Sequence, residues 1–90
     1  MGRLSEQEIN EIRAKANIVE VISHYIPLSR KGRNYTAVCP FHDDHDPSMS
    51  ISEDKQIFKC FVCGTGGNVF TFVSKYEQIS FIEAVYKVAE

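Results

Sequence analysis

The apolar positions of this 90-residue chain change period twice, from helical to alternating and back to helical. Behind Ser5, residues Ile9, Ile12 and Ala16 recur at helical spacing, and Ser5 with Glu8 three residues later forms a capping box, so residues 6–16 are predicted to be a helix. Asn17 with Glu20 repeats the start signal for a short second helix carrying Ile18, Val21 and Ile22, which Pro27 ends. From Leu28 the pattern becomes that of strands. A basic turn at 30–33 contains Gly32, then Tyr35 and Val38 follow; residues 48–52 alternate small polar side chains with Met49 and Ile51; 53–55 turn the chain, and 56–60 form another strand. Together these predict a small antiparallel sheet. Past Thr65, Gly66 and Gly67 the helical period returns. Asn68 caps a segment with Val69, Phe70, Phe72, Val73 and Tyr76, and Ser80 with Glu83 boxes the start of another with Phe81, Ile82, Val85, Val88 and Ala89. These aromatics are expected in the core. The pattern is still running at Glu90, with no stop signal, as in a fragment of a longer protein.

Chemistry enters with the strand region. Cys39 and His42 stand in one Cys-Pro-Phe-His step, Cys60 and Cys63 in a Cys-Phe-Val-Cys step, and each pair leaves two residues between its ligands. Two such knuckles separated by residues 43–59 have the spacing of a tetrahedral structural zinc site. Gly64 suits the exit of the second turn, where a positive φ is often required. On the first knuckle His45 competes with His42 for the fourth position and spacing favours His42, while His24 is too far away. An odd number of cysteines without a signal peptide argues against a disulfide framework. Four ligands close the zinc shell, which argues against catalysis at the metal. At this size a metal is a common supplement to a marginal core, so one structural Zn²⁺ per chain is expected to contribute to folding. The expected fold is α+β: one domain over 1–90, with N-terminal helices over 6–25, a zinc-ribbon sheet with two knuckles over 27–64, and C-terminal helices over 68–90.

The formal charge is −2 and the pI near 5.9, and bound zinc with three thiolates and a neutral His changes that charge to −3. This sum argues against nucleic acid as partner, but its distribution does not. Arg30, Lys31 and Arg33 cluster with no acid from 26 to 41, whereas Asp43, Asp44, Asp46, Glu53 and Asp54 crowd the segment between the knuckles. A sheet exposing Arg30, Lys31, Arg33 and Tyr35, with Lys55, Phe58, Lys59 and Phe61 on neighbouring strands, would combine phosphate contacts with rings for stacking unpaired bases. The competing reading packs Phe58 and Phe61 over the ribbon and leaves the basic turn solvated. No nucleophile paired with a base is visible, and Thr65-Gly66-Gly67 is too little for a phosphate loop. The acids around His45 read as a solvated loop. No apolar stretch reaches membrane-spanning length, and no targeting segment precedes the domain.

The run from Gly32, Asn34 and Tyr35 to Cys39-Pro40-Phe41-His42, then Pro47-Ser48, Cys60-Phe61-x-Cys63-Gly64 and Gly67-Asn68-x-Phe70-x-Phe72, resembles the N-terminal zinc-binding domain of bacterial replicative DNA primases. The early Ile18-Val19-Glu20-Val21-Ile22 and the closing Phe81-x-Glu83-Ala84-Val85 extend the resemblance to nearly the whole chain. It implies a domain of an enzyme that makes short RNA primers on single-stranded template DNA in the bacterial cytoplasm, at the replication fork. In that family the zinc domain carries no nucleotidyl-transfer chemistry and helps to recognise the initiating template sequence. The resemblance assigns zinc to Cys39, His42, Cys60 and Cys63, and template contact to the basic turn and exposed sheet. It implies as partners the template and the catalytic core of the same or another primase molecule. The Mg²⁺-binding core and the region that meets the replicative helicase are absent from these 90 residues. Three departures stand out: the acidic 43–46 stretch, Met49 in place of an aromatic, and Lys59 where a His often precedes the third ligand. Val62 is also bulkier than the glycine common inside the second knuckle. Two alternatives remain open, a protein-interaction ribbon docking on a catalytic core and the same ribbon from a phage or plasmid primase-helicase.

Overall fold

Each helix begins where the sequence supplies a cap. The computed structural model describes residues 5–41 and 47–89. Helix α1 (Glu6–Lys15) opens with the Ser5/Glu8 capping box formed in both directions. In α2 (Ile18–Ser23) the Asn17 side chain accepts from the Val19 and Glu20 amides. Asn68 caps α3 (Val69–Glu77) through the Thr71 amide, and the Ser80/Glu83 box opens α4 (Phe81–Ala89).

Between the helix pairs lies a meander of strands β1 (Ser29–Lys31), β2 (Asn34–Ala37), β3 (Met49–Ser52), β4 (Ile57–Cys60) and β5 (Gly66–Gly67), antiparallel and in sequence order. The α+β class therefore holds. Two boundaries differ from expectation. Strand β2 ends before Val38, which is exposed, and β5 adds an edge within a stretch that reads as a connection. Gly67 has φ +151°, and a Cβ there would stand 2.7–2.8 Å from the Thr71 side chain, so this edge requires glycine where it meets the first turn of α3.

Alternation gives the sheet two faces. Tyr35, Ile51 and Phe58 pair across the ladder, as do Ala37, Met49 and Cys60, and of these all but the half-buried Tyr35 are buried. That face packs on α2 and α3. Phe72 of α3 sits among rings: Phe41 and Phe58 meet it edge-on with centroids 5.4 Å away, and Tyr25 and Tyr76 flank it. The opposite face carries Thr36, Ser50 and Lys59 in one row and Asn34, Ser52 and Ile57 in the next. Nothing among the described residues packs over it as a layer.

Candidate metal centre and sheet face

The meander brings the ends of β2 and β4 together, and with them the cysteines. The Sγ atoms of Cys39, Cys60 and Cys63 all lie within 4.8 Å of one another, with Cys39 and Cys63 3.8 Å apart. Tetrahedral zinc with Zn–S bonds of about 2.3 Å sets its sulfurs about 3.8 Å apart, so the spacing fits the ion. The second knuckle is a turn closed by the Gly64 amide donating to the Cys60 carbonyl at 3.0 Å, and Gly64 leaves it at φ +77°, as the sequence anticipated. The Cys60 amide donates to the Thr65 carbonyl at 2.8 Å, tying both sides of the turn. Cys39 and Cys60 are buried and Cys63 is exposed.

Burial pushes the Cys39 thiol up to about 12; its contacts with the Cys60 and Cys63 sulfurs push the same way, and the Phe41 backbone amide pulls against them. Three close sulfurs cannot all ionise without a cation, and a bound divalent ion would supply that charge. Hydroxyls stand beside two of them: Ser48 Oγ is 3.4 Å from Cys60 Sγ and Thr65 Oγ1 is 3.2 Å from Cys63 Sγ. Such neighbours orient thiolates and spread their charge. His42, its competitor His45 and the acids Asp43, Asp44 and Asp46 lie outside the described residues.

On the open face a shallow groove of about 420 Å³ is lined by Arg33, Asn34, Ser50, Ser52, Asp54, Lys55, Ile57, Lys59 and Phe61. Phe61 is 73% exposed. Four of the eight residues expected to contact nucleic acid thus meet in one place. Lys31 pairs with Asn34 and shares their face at the sheet edge. Arg30 does not join them, because its register sets it opposite Tyr35 and its Nε donates to the Gly32 carbonyl at 3.2 Å. Phe58 is a correction: although it borders the groove, it is 1% exposed, its ring turned into the aromatic cluster by strand alternation. Tyr35 is half-buried against the same core.

A model of the CHC2 zinc finger matches residues 4–90. The chain belongs to the CHC2 zinc-finger family. The DNA primases of Listeria monocytogenes and Enterococcus faecalis are 48% and 49% identical to this CHC2 domain over 90 and 88 residues, which is 100% and 98% of the chain. The chain spans 14% of the length of those relatives. The crystal structure of the Aquifex aeolicus primase, with its zinc binding and RNA polymerase domains, superposes with a TM-score of 0.88 at 50% identity, over 96% of this chain and 21% of that one. The soft sulfur donors of the CHC2 domain, their spacing and this membership identify the cysteine cluster as a zinc site.

The residues that stand out as unusual in the sequence also find places. Met49 is buried opposite Cys60, Lys59 points into the groove, and Val62 is exposed at the knuckle tip, where its bulk meets no constraint. Sequence reasoning weighed Thr65 only within a dismissed phosphate loop and left Ser48 without a role, along with the polar side chains of Asn34, Ser50 and Ser52 in the groove. For Ser50 and Ser52 the alternation with Met49 and Ile51 carried the signal.

Proposed function

We propose that this domain is the template-binding module of a DNA primase, an enzyme that makes RNA primers on single-stranded DNA. Its zinc would be structural, one per chain, with His42 completing the shell begun by Cys39, Cys60 and Cys63. Nucleotidyl transfer, and any Mg²⁺ it uses, belongs to a separate catalytic core in a protein of the relatives' length, working in the bacterial cytoplasm at the replication fork. The observation that carries the reading is the open-face groove, where Arg33, Lys55, Lys59 and the exposed Phe61 line one surface with a single carboxylate, Asp54. Cations spread along a groove that also exposes a ring suit a single strand, whose phosphates take the charges while an unpaired base stacks. Asn34, Ser50 and Ser52 offer donors and acceptors to base edges, the means by which a preferred initiation sequence would be read. This local surplus of positive charge explains how a chain of net −2 would hold DNA.

Docking on a catalytic core through the sheet is the alternative. It now rests on Phe61 alone, since Phe58 is buried.

The test is titration of zinc-loaded, isotope-labelled protein with short single-stranded oligonucleotides at two salt concentrations, following backbone amide shifts. Shifts confined to residues 33–34 and 50–61, fading with salt, are expected. If all three cations meet phosphates, the salt slope is about −2, at about −0.7 per phosphate. Replacing Arg33, Lys55 and Lys59 together by Ala without loss of binding would sink the reading.

A further inference from the structure

The β3–β4 turn that carries Lys55 is held from outside the sheet. Gln56 closes this turn with φ +56°, a left-handed conformation that glycine or asparagine adopts far more readily than a long side chain. Its side-chain amide makes two bonds there. Nε2 donates to the Glu53 carbonyl at 2.6 Å, within the turn, and Oε1 accepts from the Ile18 amide at 2.8 Å, at the start of α2.

That second bond completes α2. A helix leaves its first four amides without intrahelical partners. Asn17 takes two of them, Val19 and Glu20, with its side chain, while its carbonyl accepts the first intrahelical bond from Val21. The Ile18 amide is beyond the local cap and goes to Gln56. Asn17 Nδ2 reaches back to Glu53 Oε2 at 3.0 Å, so turn and helix grip each other from both sides. The Lys55 amide donates to Ser52 Oγ at 3.3 Å inside the same turn. A disfavoured backbone held by reciprocal long-range bonds marks a position where geometry, and not local propensity, is being kept.

We propose that Gln56 is a positioning residue for the groove: by capping α2 it fixes the β3–β4 turn so that Lys55 faces the same strand as Arg33 and Lys59. This rests on the template-binding reading above. Gln56 contacts no template itself.

The experiment compares zinc-loaded wild-type protein with Gln56→Gly, Gln56→Asn, Lys55→Ala and the double variant Lys55→Ala/Gln56→Gly. The probes are a 12-nucleotide oligothymidine at several salt concentrations and amide exchange at Ile18. Gly and Asn both accept the positive φ, but neither reaches Ile18, so the two variants guard against a folding artefact of either one. Expected are Ile18 exchange about tenfold faster, oligonucleotide affinity reduced to near that of Lys55→Ala, and a salt slope shallower by about 0.7, one phosphate contact. The double variant should bind no more weakly than Lys55→Ala, because a lysine that is gone cannot be mispositioned. A purely structural role would instead make the two losses multiply, which would overturn the proposal. So would wild-type affinity in Gln56→Gly while Lys55→Ala is impaired. Should Lys55→Ala and the triple groove variant, both with Gln56 intact, bind as wild type does, the groove reading itself has failed and Gln56 has nothing to position.

Discussion

Phe58 and Phe61 stand three residues apart and do opposite work. Phe58 lies in the ring cluster around Phe72, so Phe58→Ala should cost about 3–5 kcal/mol in denaturant unfolding, as large buried side chains do. Phe61→Ala, at an exposed knuckle tip, should change stability by no more than about 0.5 kcal/mol. It should nonetheless weaken oligonucleotide binding by about 1–3 kcal/mol, the range for one stacked base. Equal effects of both variants on binding would remove the distinction between core and platform. At Cys60, buried and one of the sulfur trio, Cys60→Ser should lose stoichiometric zinc, measured by metal analysis of the purified protein. The Ser48 and Thr65 hydroxyls beside Cys60 and Cys63 predict a smaller effect: Thr65→Val should weaken zinc affinity by about 10- to 100-fold without abolishing it, read by competition with a chromogenic chelator.

Between elements, Tyr25 just beyond α2 donates its phenol to Glu77 Oε2 of α3 at 2.7 Å, and Lys87 of α4 pairs with the same oxygen at 3.0 Å. Burial, followed by the Glu77 carboxylate, pushes the Tyr25 phenol up to about 12 from 10.0, while the Tyr25 hydrogen bond and then Lys87 hold Glu77 below its usual 4.5. A raised phenol pKa contributes stability that is complete below pH 10 and fades as pH climbs to 12; a lowered carboxyl pKa contributes stability that is complete above 4.5 and fades under acid. Thermal melts of wild type against Tyr25→Phe should therefore differ most between pH 4.5 and 10 and converge at both extremes. A difference independent of pH would mean that the phenol contributes packing alone. The helices were legible because Ser5, Asn17, Asn68 and Ser80 are local signals, and the knuckles because ligand spacing is local too. The Tyr25–Glu77 tie, strand β5 and the Gln56 cap were not, since each joins residues whose partners only the fold supplies. Phe58 misled for a related reason: its type suits both a core and a stacking platform, and the choice lay in its register with Ile51 and Gly67.

For the molecule as a whole, zinc joins the ends of β2 and β4, and the same rings that bury Phe58 hold Phe41 of the first knuckle. Chelation at neutral pH should unfold the sheet and abolish oligonucleotide binding together, seen as loss of near-ultraviolet circular dichroism and of affinity at one chelator concentration. Binding that survives complete zinc removal would separate the groove from the metal. Lowering the pH should release zinc as ligands regain protons, before the carboxylates titrate. The strict alternation of β4 has a further consequence for how this domain can vary. Because Phe58 and Lys59 are neighbours facing opposite ways, a single-residue deletion in the turn at 53–56 would exchange their surroundings, placing an ammonium among the rings and a ring in water. A substitution in this turn leaves the register of β4 intact, but a change in its length is tolerated only where parity is restored, so insertions and deletions among relatives should be far scarcer there than substitutions.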